Sequence, residues 1–375
     1  MCKRRKQSKF LFITVVFLFT ISSSIQAQDH TEKLFFSGAS LVGRLHNGFL
    51  LAHRERVEHL VRHTKGFEIS LSRQSTGEKM WHQYYRYPQS GFTYVFLDFN
   101  NPEKMGNAHA GMAFINIPFA RNDGFQLSFR MASGIGYLTK KYERVENYKN
   151  NVIGSHLNAA IQLNLETRYK LSPHLFFNFN AGLTHFSNAS VHTPNLGVNN
   201  PSVNFGLTYQ VDKTTPLVHS ERLPYNKNIQ VDVLYAAGIK ETYPPTGEQY
   251  VAHSLSSTMM KQVGYKVRLG LGLDIFYDLG LVHDLRAENR HFATNFEIVK
   301  SGIHFSNELM MGKLAVLFQM GMYLIDKHNL DGNIYHRIGY KYLINEHFFI
   351  NLTLKTHYGK ADYAEWGVGW KFVKK

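Results

Sequence analysis

Residues 157–171 read LNAAIQLNLETRYKL, and their strict alternation decides the fold. Leu157, Ala159, Ile161, Leu163, Leu165, Thr167, Tyr169 and Leu171 fall on one face of an extended chain. Asn158, Ala160, Gln162, Asn164, Glu166, Arg168 and Lys170 fall on the other. Side chains of a strand alternate between its two faces, so this is a strand with one apolar and one polar wall. Its length is what a tilted membrane-crossing strand requires, and longer than a soluble sandwich usually employs.

The same pattern recurs outward in both directions. Val203, Phe205, Leu207, Tyr209 and Val211 alternate with small or polar residues, as do Val267, Leu269, Leu271, Leu273 and Ile275. Trp366, Val368, Trp370 and Phe372 form the apolar wall of the last segment. Aromatics such as Tyr265 and Tyr277 bracket the strands, in the manner of an interfacial girdle. The expected fold is all-β, a transmembrane antiparallel β-barrel of about 14 strands (range 12–16) formed by residues 28–375. No linker rich in Pro, Gly or Ser marks a boundary between domains. Region 34–100 fits least well: strands near 34–45, 67–74 and 90–99 are interrupted by a charged, helix-like stretch at 53–64.

The N-terminus predicts export. Lys3, Arg4, Arg5, Lys6 and Lys9 precede an apolar run from Phe10 to Ile21, and Ala27 offers a small residue for cleavage. Twelve apolar residues are too few to span a bilayer as a helix and suit a signal peptide, so residues 1–27 are read as one. Cys2 is the sole cysteine, which leaves the mature chain without disulfides or thiolate chemistry. No later run approaches about eighteen apolar residues, which excludes a helical membrane protein. The net charge of +14 includes five from the signal segment, leaving about +9. For an exported chain, anionic lipid such as the phosphates of lipopolysaccharide is a fitter partner than nucleic acid. The predicted location is the bacterial outer membrane.

Barrels of this kind have short periplasmic turns and longer outer loops, and their last strand ends in the periplasm. Reading back from Phe372, the turns at 121–123, 171–174, 262–264 and 345–347 are periplasmic. The links at 140–154, 190–200, 279–291 and 326–333 are external. One link, 212–227, disobeys by being long yet periplasmic. The strand at 174–189 then runs outward and ends near the outer leaflet.

That strand ends in His185-Phe186-Ser187-Asn188-Ala189, followed by Pro194-Asn195-Leu196-Gly197-Val198-Asn199. Alternation sets His185 and Ser187 on the apolar, lipid-contacting wall, where polar groups carry a desolvation cost. Same-face neighbours two residues apart lie about 6–7 Å apart at the backbone, within reach of a serine–imidazole pair. A neutral histidine could take the serine proton as it attacks an ester, with an amide of Asn188 or Asn195 stabilising the oxyanion. Spacing alone favours the other reading, two interfacial residues that bond lipid headgroups, because His-x-Ser is a weak pattern.

The string His185-x-Ser187-Asn188-Ala189 with Pro194-Asn195-x-Gly197 resembles the active-site motif of the PagL family, outer-membrane lipid A 3-O-deacylases grouped as acyloxyacyl hydrolases. The detailed resemblance covers about 150–215. It implies His185 as base, Ser187 as nucleophile, and Asn195, with Asn188, at the oxyanion. The family barrel has eight strands, so this chain reads as an enlarged relative. Where the family often carries a Glu that orients the histidine, this chain has Asn199. An amide holds an imidazole but gives imidazolium no charge partner, and the analogous change in a serine protease costs roughly 10⁴ in rate. Asn199 serves as in Cys-His-Asn enzymes, or another carboxylate substitutes, or activity has been lost. Glu166 is on the neighbouring strand but on its lumen face.

His304-Phe305-Ser306-Asn307 repeats the tetrapeptide without Pro-Asn-x-Gly and is read as coincidence or a remote internal echo, with His304 and Ser306 on the face of Phe296 and Ile298. His46, His53, His63, His82, His192 and His253 lack metal-ligand spacing. No cofactor or metal is expected. The leading expectation is an outer-membrane esterase that removes an ester-linked acyl chain from lipid A. The alternative is a non-catalytic barrel, a channel, adhesin or structural protein that keeps the motif as scaffolding.

Overall fold

The computed structural model describes residues 38–373, apart from 212–216, 222, 223, 244, 246 and 291–293. The signal segment lies outside the described residues. The described residues form sixteen strands, and they close twice. The first barrel comprises β1 (Ala39–Phe49), β2 (His63–Gln74), β3 (Gln89–Asp98), β4 (Asn107–Arg121), β5 (Phe125–Leu138), β6 (Leu157–Lys170), β7 (Leu175–Ser187) and β8 (Val198–Gln210). The second comprises β9 (Gln230–Glu241), β10 (Gln249–Gln262), β11 (Val267–Asp278), β12 (Val299–Met311), β13 (Leu314–Ile325), β14 (Ile334–Leu343), β15 (Phe348–His357) and β16 (Lys360–Val373).

This corrects the expectation of one barrel of about 14 strands. Alternation reports each strand and its faces, whereas the closing partner is a long-range choice. Here β1 pairs with β8, Leu45 opposite Phe205, and β9 pairs with β16, Val233 opposite Trp370. The long link that broke the loop-length pattern is the connection between the two barrels.

The faces follow the alternation. On β6, Leu163 and Leu165 are exposed while Gln162, Asn164 and Glu166 are buried in the lumen. Exposed Tyr137 and Tyr169 stand at opposite ends of the β5–β6 pair, with an apolar band between them, as a membrane wall requires. Neither lumen is an open pore at its middle. In the first, Arg44 donates to Glu68 and Glu166, each at 2.6 Å, and Arg130 pairs with Glu68 at 2.8 Å. In the second, Arg337 bridges Asp274 at 2.8 Å and Glu365 at 2.7 Å. Each of these buried charges is paired, which is the condition for tolerating it away from water.

Four short helical pieces interrupt the strands among the described residues. The charged stretch expected near 53–64 is a 3-10 turn, Glu55–Leu60, whose Val57 and Leu60 are fully buried. They join Leu50, Leu97, Phe99 and Ile153 in an apolar cluster that stops the first barrel at one mouth. Helix α1 (Met80–Tyr84) lies in a link at the opposite end, and α2 (Gly280–Ala287) precedes β12. No helix among the described residues is long and apolar enough to cross a membrane.

The barrels stand side by side with like ends together. The Tyr340 hydroxyl donates to Ser133 Oγ at 2.8 Å between their walls. At one end the rings of Tyr84 and Tyr265 lie 4.7 Å apart, and at the other the 188–197 link bonds to the end of β9.

Candidate active site

Phe186 explains why its neighbours face outward. Its ring is fully buried within the apolar cluster of the first lumen and fills the space above Gly136, where an added Cβ would meet it at 2.5 Å. Because a strand alternates, anchoring Phe186 inward turns His185 and Ser187 to the outer wall. Both are half-buried there, on the face that carries exposed Phe177 and Phe179.

The imidazole is oriented from the next strand. His185 is the direct register partner of Asn199, and His185 Nδ1 lies 2.7 Å from Asn199 Oδ1. A carbonyl oxygen only accepts, so Nδ1 carries the proton and Nε2 the lone pair. Gly197, at φ +80, lets the chain pass close by, since a Cβ there would sit 2.7 Å from His185 Cε1. Asn199 Nδ2 in turn lies 3.3 Å from His53 Nδ1 in the β1–β2 link.

The serine is held by Asn195. Ser187 Oγ and Asn195 Oδ1 are 3.2 Å apart, Asn195 Nδ2 and Ser187 Oγ 3.1 Å, and the Asn188 N–H donates to Asn195 Oδ1 at 3.0 Å. The Ala189 N–H also donates to Ser187 Oγ, at 3.2 Å. Ala189 has φ +54 and Ser190 φ +63, so the chain turns sharply just after the serine and aims that N–H back at it. His185, Ser187, Asn195 and Asn199 are therefore gathered on one outward patch. The Ser187 hydroxyl bonds to Asn195 and not to His185.

Asn188 is not gathered with them. Its side chain turns inward and donates to Ser155 Oγ at 2.9 Å, leaving only its backbone at the patch. Glu166 is deep in the lumen, bonded to Arg44 and Asn116, and so does not take the place of a missing acid. Two participants escaped the sequence reading, His53 and the Ala189 N–H. Nothing in spacing links a histidine to a position 146 residues away, and the left-handed turn at Ala189 and Ser190 has no glycine at those positions to announce it.

The repeated tetrapeptide takes the opposite orientation. β12 begins at Val299, after the 3-10 turn Asn295–Ile298, and this offset breaks the phase with Phe296. His304 and Ser306 are buried in the second lumen, and Ile303 and Phe305 face out. His304 bonds Asp274 through Nδ1 at 2.7 Å and Thr258 through Nε2 at 3.0 Å, as part of the internal ion network. Among the described residues, no group of three or more His, Cys, Asp or Glu could hold a metal ion.

Residues 65–208 match the family model of lipid A 3-O-deacylase (PagL), and residues 229–375 match that of the acyloxyacyl hydrolase C-terminal domain. The chain belongs to this PagL-like family. Each match falls within one closed barrel, so the PagL barrel carries the His185–Ser187 patch and the C-terminal barrel lies beside it. Among solved structures, the outer membrane enzyme PagL aligns at 14% identity and TM-score 0.31, over 44% of this chain and 97% of that one. An outer membrane channel from Pseudomonas putida F1 aligns at 10% identity and TM-score 0.19, over 93% of this chain and 100% of that one. The β domain of the Bordetella autotransporter BrkA aligns at 9% identity and TM-score 0.24, over 90% and 99%. No curated protein matches the chain.

Proposed function

We propose that this PagL-like chain is an outer-membrane esterase that removes an ester-linked acyl chain from lipid A, with Ser187 as nucleophile and His185 as base. The observation that carries this reading is the 2.7 Å bond between His185 Nδ1 and Asn199 Oδ1, which presents a basic Nε2 on the lipid-facing wall. For attack, the Ser187 hydroxyl rotates from Asn195 toward Nε2. Catalytic bonds are commonly completed only when substrate is bound. Oγ then attacks the ester carbonyl while His185 takes its proton. The Asn195 amide and the Ala189 N–H, freed from Oγ, donate to the developing oxyanion. Collapse expels the sugar hydroxyl with the proton from His185, and water releases the fatty acid by the same steps in reverse roles.

Location and substrate follow from the wall. An acyl chain could be cut while it remains in the hydrocarbon layer. The link beside the patch, which carries His53, exposes Arg54, Arg56 and Arg62, cations suited to the phosphates of lipid A. A signal peptide cleaved near Ala27 would deliver the chain across the inner membrane.

A second reading is a barrel that keeps the motif without chemistry. It is favoured by the neutral Asn199 amide and by the serine hydroxyl engaged with Asn195. Mass spectrometry of lipid A from cells expressing wild type and Ser187→Ala separates the two. Loss of one acyl chain only with the wild type is expected, and identical acylation in both would sink the esterase.

A further inference from the structure

The link between Ser187 and Asn195 is held by the other barrel. Glu241, the last residue of β9, is 5% exposed and accepts two N–H bonds, one on each carboxylate oxygen. Oε2 accepts from Thr193 N at 2.9 Å, and Oε1 accepts from Gly247 N at 2.7 Å. His192 Nδ1 lies 3.6 Å from Oε2. The Glu241 N–H donates to Ser190 O at 2.8 Å, Gln249 Nε2 to Val191 O at 2.9 Å, and Ser190 Oγ to Ala361 O at 2.9 Å. Residues 190, 191 and 193 are thus tied to the C-terminal barrel.

Just beyond them the link returns to its own barrel. The N–H groups of Leu196 and Gly197 donate to Val152 O at 3.0 and 3.1 Å, and Asn195 bridges to Ile153. Asn195 therefore sits between an anchor on the second barrel and an anchor on the first. A segment of this length without regular structure does not hold one conformation unless its backbone groups are satisfied.

We propose that Glu241 is a positioning residue for the site: the C-terminal barrel, through this carboxylate, sets the 190–193 segment and with it the placement of Asn195 against Ser187. The inference rests on the esterase reading for its catalytic consequence, and on the hydrogen bonds alone for the ordering of the link. It also gives the second barrel a role in the reaction although its own His304 and Ser306 face the lumen. The carboxylate is suited to this task because it can accept from Thr193 and Gly247 at once.

The test uses the full chain in detergent, with Glu241→Ala, Glu241→Gln and Tyr340→Phe. The last removes a bond between the barrels at the wall without touching the link. Two readouts are taken: hydrogen exchange over 188–197, and kinetics of fatty acid release from lipid A micelles. Glu241→Ala should speed exchange at the link and lower kcat about 10- to 100-fold with little change in KM, the size expected of a small misplacement. Glu241→Gln, which keeps one acceptor, should restore part of both, and Tyr340→Phe should alter neither. Unchanged exchange in Glu241→Ala overturns the inference, as does a Tyr340→Phe variant that loses as much kcat. If the wild type releases no fatty acid, the esterase reading fails and exchange alone decides the clamp.

Discussion

His185 and Asn199 face each other across the β7–β8 pair, and their side chains meet at 2.7 Å between Nδ1 and Oδ1. The contact joins residues fourteen apart in sequence through one rung of a ladder. It sets the tautomer but supplies no negative charge. Asn199→Glu should therefore raise kcat by about 10-fold or more, moving toward the roughly 10⁴ that separates acid from amide in a serine protease. Asn199→Ala should lower it by about 10²-fold through loss of orientation. Steady-state release of fatty acid from lipid A measures both, and a lower rate in Asn199→Glu would refute the charge argument.

Asn195 touches Ser187 through both ends of its amide. Replacing it with Ala removes the donor assigned to the oxyanion and should cost about 10²- to 10³-fold in kcat. Binding of lipid A to the variant should be unchanged, and a kcat within twofold of wild type would remove Asn195 from the mechanism.

Gly197 leaves room for the imidazole. In Gly197→Ala the new Cβ would press on His185 Cε1 from 2.7 Å, and the residue would keep a φ of +80 that L side chains resist at about 1–2 kcal/mol. Activity should fall sharply while the heat-modifiable gel mobility of a folded barrel is retained. Full activity would mean that the imbalance is absorbed elsewhere.

Phe186 fills the lumen beneath the patch. Phe186→Ala should destabilise the first barrel by about 3–5 kcal/mol, the usual cost of emptying a buried aromatic site. Denaturant titration of the refolded protein would register it. The second barrel should be untouched, since its strands close on themselves.

Asp284, on α2, carries a different test. Burial raises its carboxyl from 3.8 to about 6, and Asp278 and Asp331 push the same way against Lys240. A raised acid favours its protonated form in the folded state. Its stabilising contribution is complete below about 3.8 and is lost as pH climbs through about 6. Asp284→Asn should accordingly raise the melting temperature near pH 8 and leave it unchanged near pH 3. Equal shifts at both would show that the carboxyl does not titrate in this range.

Alternation alone determined most strands and the outward projection of His185 and Ser187, because side-chain direction in a strand depends only on neighbouring residues. Alternation misplaced Phe296 against His304, where the 3-10 turn before β12 breaks the phase. The string at 185–199 also held the residues of the patch, since register brings Asn199 beside His185 within one hairpin. Three matters rested on contacts between distant parts of the chain. Closure of β1 on β8 made two barrels where a continuous run of strands suggested one. Asn188 follows the strand's alternation inward, but only the packing of the 140–156 link brings Ser155 to it, and the fold of the 188–197 link leaves Asn195 with the serine. Docking of β9 beside the 188–197 link brought Glu241 to Thr193, a meeting that no local pattern encodes because the two residues belong to separately closed barrels.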